Sequence, residues 1–312
     1  MLDKRYYSLN EYCRNVFGKK VYRLSLNAGC SCPNRDGTLS FGGCAFCSEG
    51  GSGDFASASH LNISQQIEDA QRRIQQKTDC NHFIAYFQAY TNTYGPIEKL
   101  RRIFTDAIEH ENIVALSIGT RSDCLSEEVL DLLTELSMKK PIWVELGLQT
   151  AHNATLERMN THTTVEQYDK AVLELHKRGI SVITHVILGL PGETKDMILD
   201  TIQHVVSLPV AGIKLQLLHV LKNTKLASMY AENPFPIFSL EEYCDFVIDC
   251  VELLPPDMVI HRLTGDGPRK LLIAPLWSTD KKRVLNTIQR RFTERDTWQG
   301  KYYTNRRHEN SL

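Results

Sequence analysis

The sequence between residues 21 and 260 alternates short apolar runs with segments of helical periodicity. Six runs rich in apolar or β-branched residues predict strands: Val21–Leu26, His82–Gln88, Val114–Ile118, Ile142–Leu148, Ile180–Leu188 and Gly212–Val220. The segments that predict helices lie after them: Ile63–Gln76, Ile97–Ile108, Glu127–Met138, Val165–Lys177, Lys195–Val206 and Leu240–Leu254. Successive β-then-α units predict an α/β fold with a parallel sheet, because each helix must return the chain to the start of the next strand.

An open doubly wound sheet and a barrel would both produce this order of elements. We favour a parallel (β/α) partial barrel over residues 1–260, because polar motifs recur where the predicted strands end. Barrel enzymes place their chemistry at that end of the strands. Ser126, Thr164 and Ser239 precede three predicted helices as caps, which supports these boundaries.

A long loop rich in cysteine and glycine follows the first predicted strand. Residues 27–55 contain four of the nine cysteines of the chain. Thiolates are ligands for zinc or for iron–sulfur clusters. Cys30, Cys32, Cys44 and Cys47 together could close a structural zinc site, although the C-x-C spacing is tight for one. Cys32, Cys44 and Cys47 alone would leave one iron of a four-iron cluster open for a substrate.

The motifs of this loop and of the later strand ends resemble those of the radical SAM superfamily. They are CPNRDGT and GGCAFC in the loop, then YFQAYTNTY, TRSDCL, ELGLQT, HVILGLPGET and HRLTGDGP along nearly the whole chain. The resemblance is to the branch related to the Elongator catalytic subunit, in the MnmL/YtqA-like (YhcC-like) group implicated in modifying the tRNA wobble uridine. It implies the partial TIM barrel of the radical SAM type.

The resemblance also implies the cofactors and the ligands of the metal. Cys32, Cys44 and Cys47 would hold a 4Fe–4S cluster, with Cys30 outside the set. S-adenosylmethionine would bind the open iron, and an external one-electron donor would reduce the cluster. Cleavage of the sulfonium bond would give a 5′-deoxyadenosyl radical that removes a hydrogen atom from the substrate. The cofactors supply the difficult chemistry and the protein supplies placement.

Four positions match family segments that lie near S-adenosylmethionine. Phe46 would pack near the adenine, Gln88 would lie by the amino group and Gln149 by the ribose. Gly189, in the GLPGET turn, would let the backbone approach the adenine. Simple packing of the loop is the alternative for Phe46.

The partner of the S-adenosylmethionine carboxylate departs from the family pattern. Where relatives often have Asn-Arg after the GLQT helix, this chain has Asn-Thr-His at 160–162. Arg121 or Arg158 could replace the missing arginine. Arg121 and Asp123 follow the third predicted strand and could hold polar groups of the cofactor. The alternatives are a surface arginine and a helix-capping aspartate.

Residues 261–312 form a basic C-terminal extension. Twelve Lys or Arg residues stand against five Asp or Glu, so this segment carries +7 while the whole chain carries −1. Such an asymmetry is typical of nucleic-acid contact. Trp298, Tyr302 and Tyr303 lie among these charges and could stack on a loop base. A solvated charged helix is the alternative.

Three functions fit these patterns. The resemblance implies a tRNA-modifying enzyme that converts the carboxymethylaminomethyl side chain of the wobble uridine to the aminomethyl form. A radical SAM enzyme for a small metabolite or a protein is the second, and a non-catalytic zinc-binding module is the third. The sequence has neither an apolar run of about 18 residues nor an apolar N-terminal stretch. We therefore expect a cytoplasmic protein with no membrane partner.

Overall fold

The computed structural model describes residues 5–51, 53, 56–57, 60–265 and 267–304. The strands are β1 Tyr22–Leu26, β2 Phe83–Phe87, β3 Ile113–Thr120, β4 Ile142–Gln149, β5 Ser181–Leu188, β6 Gly212–Leu217, β7 Val220–Leu221, β8 Val259–Arg262 and β9 Leu272–Ala274. The helices are α1 Leu9–Phe17, α2 Ile63–Gln75, α3 Ile97–Glu109, α4 Glu127–Ser137, α5 Asn153–Arg158, α6 Val165–Lys177, α7 Lys195–Ser207, α8 Lys225–Glu232, α9 Leu240–Glu252 and α10 Lys281–Glu294. All six predicted strands and all six predicted helices are present.

Seven parallel strands form one curled sheet in the order β1-β2-β3-β4-β5-β6-β8. The partial barrel expected from the sequence is therefore confirmed. The seventh strand, β8, pairs with β6, with Val259 opposite Gly212. The expected boundary at residue 260 falls inside this strand, which at four residues is too short for its periodicity to be read. Residue 266, residues 305–312 and three positions of the cysteine loop (52, 54 and 55) lie outside the described residues.

Apolar packing covers the outside of the barrel and closes one of its ends. Every residue of β2 is buried, and Phe87 stacks edge-on against Phe104 of α3. Helix α1 covers the N-terminal ends of the strands, where Cys13 packs in a cluster with Ile84 and Trp143. Among the described residues, a cavity lies at the other end of the barrel, at the C-terminal ends of the strands, which we call the open end. None of the described helices is long and apolar enough to span a bilayer.

Ion pairs fix α10 along α9. Arg295 donates to Asp249 at 2.7 Å and to Glu252 at 3.1 Å. The Nε atom of Arg291 lies 3.4 Å from Asp245. Part of the basic charge of the C-terminal extension thus holds the last helix on the barrel.

The aromatic segment 298–303 lies at the closed end of the barrel. The backbone N–H of Gln299 donates to the carbonyl of Arg5, and that of Tyr302 donates to the carbonyl of Glu252, where α9 ends. Because α9 runs from the open end to the closed end, this segment is on the far side from the opening. Any loop base stacked on Trp298, Tyr302 or Tyr303 would therefore lie away from the opening of the barrel.

Candidate active site

A cavity lies at the open end of the barrel, between the cysteine loop and the strands. Its empty volume, including the part that is open to solvent, is about 1070 Å³. We call it the central cavity. Seven of the nine predicted site residues line it: Cys32, Cys44, Phe46, Cys47, Gln88, Arg121 and Gln149.

Hydrogen bonds hold the cysteine loop against the rest of the protein. The N–H of Ala45 donates to the carbonyl of Met159, and the carbonyl of Ala45 accepts from the N–H of Leu226, both at 2.8 Å. The side-chain amide of Asn160 donates to the carbonyl of Gly43 at 2.9 Å. The segment that carries Cys44 and Cys47 is therefore fixed between α5 and α8.

The surroundings of Cys44 keep its thiol protonated unless a cation binds there. The side-chain amide of Asn34 lies 3.5 Å from the Cys44 sulfur, and the N–H of Cys47 donates to the Cys44 carbonyl at 3.0 Å. Burial, followed by the neighbouring Cys47 thiol, raises the pKa of Cys44 to about 12. A metal binds the deprotonated form, so a bound cation would supply the charge that makes this thiol a thiolate.

The described thiols do not form a site for a single metal ion. Within the described residues, no group of three or more Cys, His, Asp or Glu side chains could hold one metal ion. A zinc ion needs all its sulfur ligands at about 2.3 Å, whereas each cysteine of a four-iron cluster binds a different iron. The Cys30 sulfur does not line the central cavity and lies 3.9 Å from the carbonyls of Ala28 and Asn92. This arrangement favours Cys32, Cys44 and Cys47 without Cys30.

Gln149 has two features of a ligand-binding residue. Its φ of 69° is in the left-handed region, which is uncommon for a residue other than glycine. Its Oε1 is buried and has no hydrogen-bond partner. Leaving a buried amide oxygen unpaired costs about 1–3 kcal/mol, and a donor on a bound ligand would remove that cost. The side chain lies over Gly147, where any Cβ would collide with its Nε2.

Of the two arginines considered for the cofactor carboxylate, only Arg121 reaches the central cavity. Arg121 donates to both oxygens of Asp123, at 2.8 and 2.7 Å, and to the carbonyl of Thr161 at 2.8 Å. Burial lowers the pKa of Arg121, but Asp123 outweighs this effect and raises it. Asp123 thus orients Arg121 and does not itself line the cavity. Arg158 donates instead to the carbonyl of Pro191.

Of the two residues predicted to lie near the adenine, Phe46 lines the central cavity and Gly189 does not. Phe46 lines the central cavity and also packs with the apolar cluster that includes Met159 and Leu218, so it serves loop packing as well. Gly189 does not line the cavity. Its φ of 95° requires glycine, and a Cβ there would lie 3.2 Å from the Phe238 ring. The backbone conformation of the turn therefore explains why residue 189 is a glycine, without any contact to the adenine.

A group of buried polar side chains inside the barrel was not predicted as a site. Glu145 of β4 pairs through Oε2 with the ammonium of Lys214 on β6. His185 Nε2 of β5 lies 2.7 Å from the same oxygen, and Ser117 donates to Oε1 at 2.6 Å. Lys214 also donates to the Tyr86 hydroxyl at 3.1 Å. In the sequence, this group is indicated only by one charged residue in each of two apolar strands, Glu145 in WVELGL and Lys214 in GIKLQL.

Burial and the interactions between Glu145, Lys214 and His185 shift the pKa values of all three groups. Burial alone would raise the pKa of Glu145, but Lys214 and His185 hold it well below its usual range. Burial lowers the pKa of Lys214 to about 7; Arg23 and Arg262 add to this, while Glu145 opposes it. Burial, followed by Lys214, lowers the pKa of His185 to about 4. At neutral pH, Glu145 is therefore ionised and His185 is uncharged.

Family models match most of the chain. The Radical SAM superfamily model matches residues 32–205, and the Radical_SAM C-terminal domain model matches residues 210–294. The chain belongs to the radical SAM superfamily. Members of this superfamily bind a 4Fe–4S cluster and S-adenosylmethionine, and these are the cofactors of this radical SAM protein. The three cavity thiols and the unpaired oxygen of Gln149 fit the two groups.

The relatives of this radical SAM protein extend over nearly its full length. It is 43% identical to the uncharacterized protein YtqA of Bacillus subtilis, over 99% of this chain and 96% of YtqA. It is 37% identical to YhcC of Escherichia coli K12, over 89% of each chain. A shorter match, 26% identical, joins 57% of this chain to 32% of the tRNA uridine(34) acetyltransferase of Methanocaldococcus jannaschii.

One solved structure supports the fold. The archaeal Elp3 of Methanocaldococcus infernus aligns with a TM-score of 0.69 and 17% identity, over 89% of this chain and 64% of that chain. At this identity the likeness concerns the fold alone.

Proposed function

We propose that this radical SAM protein acts on the wobble uridine of tRNA and converts its carboxymethylaminomethyl side chain to the aminomethyl form. Cys32, Cys44 and Cys47 would hold the cluster, and Gln88 and Gln149 would contact S-adenosylmethionine. When bound and reduced by an external one-electron donor, these cofactors supply a 5′-deoxyadenosyl radical that removes a hydrogen atom. Removal of a hydrogen atom from the CH2 group beside the carboxylate, followed by return of one electron to the cluster, would leave an imine; its hydrolysis would release the two-carbon fragment as glyoxylate and leave the aminomethyl group. S-adenosylmethionine, which ends as methionine and 5′-deoxyadenosine, is the oxidant, and the protein positions the side chain.

Arg121 is the candidate partner for the carboxylate of S-adenosylmethionine. It lines the central cavity, and Asp123 holds its guanidinium in a two-bond arrangement. A fixed, planar guanidinium is suited to a carboxylate. In this proposal, Asp123 is a positioning residue.

The positive charge beside the opening carries the tRNA proposal. A second cavity, with an empty volume of about 1630 Å³, shares Phe46, Gln88 and Arg262 with the central cavity. Arg269 and Lys281 also line it, and none of its described lining residues is acidic. A positively charged surface that leads to a reaction site attracts the phosphates of nucleic acid.

The first turn of α10 continues this charge at the surface. Lys281, Lys282 and Arg283 are all exposed there, and Lys281 lines the second cavity. We call these three residues the basic ridge. The ridge lies at the open end of the barrel, unlike the aromatic segment 298–303. An RNA backbone lying along it would bring a single-stranded base to the opening, which suits recognition of a loop nucleotide.

The relatives give independent support for an RNA substrate. The partial match to a tRNA uridine(34) acetyltransferase names the same class of substrate and the same nucleotide position. The motif resemblance to the Elongator-related branch points in the same direction. A small uncharged metabolite would not need a basic surface next to the opening.

Nucleoside analysis of tRNA from a strain that lacks the gene tests the proposal. We expect the carboxymethylaminomethyl nucleoside to accumulate and the nucleosides derived from the aminomethyl form to disappear. The wild-type gene and the Cys30→Ala variant should restore the original profile, whereas Cys44→Ala should not. A wobble-uridine profile unchanged by the deletion would overturn the proposal.

A further inference from the structure

Gln216 lies where the central cavity joins the second cavity. It is near the end of β6, and it is the only residue of this strand that is not buried. Four residues line both cavities: Phe46, Gln88, Gln216 and Arg262. We call these four residues the neck. A ligand that extends from the second cavity to the cysteines would pass the neck.

A hydrogen bond with Glu145 fixes which nitrogen of the His185 ring carries the proton. His185 Nε2 lies 2.7 Å from Glu145 Oε2. Glu145 is ionised, and a carboxylate can only accept hydrogen bonds. The proton therefore lies on Nε2. Because burial lowers the pKa of His185 to about 4, the ring is uncharged at neutral pH and its Nδ1 is an acceptor.

The Nδ1 acceptor in turn fixes the orientation of the Gln216 amide. The amide nitrogen of Gln216 lies 3.3 Å from His185 Nδ1. In the flipped orientation two acceptors would face each other, so the nitrogen has to lie on this side and donate. The second N–H of the amide and its carbonyl oxygen, Oε1, remain. None of the described residues forms a hydrogen bond with either of them.

The remaining N–H and carbonyl of Gln216 form a donor and an acceptor side by side. Uracil presents the complementary pair on its Watson–Crick edge, an N3–H donor next to a carbonyl. Cytosine has an unprotonated N3, so at the same placement its N3 would face Oε1, acceptor against acceptor. A freely rotating glutamine amide would flip to suit either base, whereas an amide held by His185 cannot. The fixed amide therefore favours uracil.

We infer that Gln216 recognises the Watson–Crick edge of uracil at the neck, accepting N3–H through Oε1, and that His185 is the positioning residue that prevents the amide from flipping. This inference rests on the proposed function, which brings a uridine to the opening. Because the substituent on C5 has to reach the cofactors in the central cavity, the ring would lie beside them, towards the second cavity. The buried Lys214 also acquires a function, since it keeps Glu145 ionised.

Two anticodon stem–loop RNAs that differ in one base test the inference without turnover. They carry 5-carboxymethylaminomethyluridine or the corresponding cytidine at the wobble position. Their dissociation constants are measured by fluorescence anisotropy with reconstituted enzyme, saturating S-adenosylmethionine and no reductant. We expect the wild type to bind the uridine RNA at least about tenfold more tightly, because cytosine sets an acceptor against the Gln216 oxygen.

Variants of Gln216 separate recognition of the base from general effects. Gln216→Met removes both hydrogen-bonding groups, and we expect it to bind the uridine RNA about tenfold more weakly and the cytidine RNA no more weakly than the wild type does. Gln216→Glu retains an oxygen that accepts from N3–H, so it should keep the preference although its negative charge weakens both complexes. Gln203→Met, the same substitution at an exposed position of α7, is the control. The affinity for S-adenosylmethionine should equal that of the wild type in all three variants.

A variant of His185 tests its positioning role. In His185→Leu the Nδ1 acceptor is lost and the Gln216 amide is free to flip. We therefore expect the preference to fall because the cytidine RNA binds more tightly, at an unchanged affinity for the uridine RNA. A merely structural role would weaken both complexes equally. That result, or an unchanged preference, would contradict the positioning role of His185.

Free nucleosides distinguish failure of the inference from failure of the proposed function. Uridine and cytidine are titrated into enzyme saturated with S-adenosylmethionine, and binding is followed by saturation-transfer NMR. Only uridine should bind to the wild type, and neither should bind to Gln216→Met. If neither stem–loop binds but uridine does, the proposed function fails and the uracil site stands. Equal binding of the two stem–loops by the wild type, an unchanged preference in Gln216→Met, or weaker binding of S-adenosylmethionine by that variant would overturn the inference but not the proposed function.

Discussion

Lys214 and Glu145 form an ion pair inside the barrel, with side-chain exposures of 1% and 0%. They come from β6 and β4, on either side of β5, and both line the cavity that contains the three predicted cluster cysteines. Barrel interiors are normally filled by apolar layers. A buried ion pair adds little net stability compared with apolar packing, so its position in the active-site cavity indicates a role in function.

Removing one partner of this pair should be costly. In Lys214→Met, the buried Glu145 carboxylate loses its ammonium partner and keeps only its contacts with Ser117, His185 and Arg23, and we expect the free energy of unfolding to fall by about 3–5 kcal/mol. In Lys214→Met combined with Glu145→Gln no unpaired charge remains, so most of the loss should be recovered. Urea unfolding of the reconstituted proteins under anaerobic conditions gives both values. A double variant as unstable as the single one would contradict this account.

The pKa of His185 predicts a pH dependence of stability. It is about 4 in the folded protein because burial disfavours the imidazolium, and about 6.5 in the unfolded chain. Between these values the unfolded state binds more protons, so this group makes stability fall as the pH drops from 6.5 to 4, by about 3 kcal/mol at most. The His185→Gln variant should show a shallower fall over that window. His176→Gln, at an exposed position, should follow the wild type in the same urea titrations.

The sheet could be predicted because its signals are local. Each long strand is an apolar run that fits within a few residues, as in Ser181–Leu188, and a capped amphipathic helix such as Val165–Lys177 precedes it. The seventh strand, Val259–Arg262, was missed because four residues carry no usable period. The position of Trp298 at the closed end also could not be predicted, because it depends on tertiary contacts at the end of α9.

The contact between Glu145 and Lys214 could not be predicted from the sequence. Glu145 and Lys214 are 69 positions apart, and their contact depends on the register of three strands. A single charged residue in an apolar strand indicates that another residue pairs with it, but not which one. The cysteine loop could be predicted from the sequence, because its candidate metal ligands lie in one continuous segment. The positions of the two arginines offered in place of the one missing at Thr161 could be known only in three dimensions, where Arg121 lines the cavity and Arg158 does not.

Gly147 should control the affinity for S-adenosylmethionine through Gln149. A Cβ at Gly147 would collide with Gln149 Nε2, the end of a flexible side chain. Gly147→Ala should therefore displace Gln149 and weaken S-adenosylmethionine binding by about tenfold, the effect of one lost hydrogen bond to a buried acceptor, with little change in stability. Equilibrium dialysis and thermal unfolding measure the two quantities. Gly95→Ala is the control, because its Cβ would have only ordinary contacts; unchanged affinity in Gly147→Ala would contradict the role of Gln149.

Three of the four cysteines in the loop should bind the cluster, and Cys30 should not. Single alanine variants of Cys32, Cys44 and Cys47 should each lose the brown iron–sulfur absorption after anaerobic reconstitution, because a cluster held by three thiolates cannot spare one. Cys30→Ala should keep it, since the Cys30 sulfur faces the carbonyls of Ala28 and Asn92. Iron, sulfide and zinc analysis accompanies the spectra. A colourless wild type with one bound zinc would support the zinc-module alternative instead.

The basic ridge should set the salt dependence of tRNA binding. Each phosphate contact adds about 0.7–0.9 to the slope of log K against log salt concentration. In the triple variant Lys281→Gln, Lys282→Gln and Arg283→Gln, we expect this slope to become shallower by about 2. Filter binding of unmodified tRNA between low and moderate salt measures the slope.

A matched triple variant at the closed end of the barrel distinguishes the ridge from overall charge. Arg14, Lys19 and Lys20 are exposed around the C-terminal end of α1, which covers the closed end. Replacing all three with glutamine changes the net charge by the same amount, but it should leave the salt slope unchanged. Equal slopes in the two triple variants would mean that the salt dependence of tRNA binding reflects only the net charge of the protein. Contact with the ridge would then be excluded, because a phosphate contact releases counterions only where it forms.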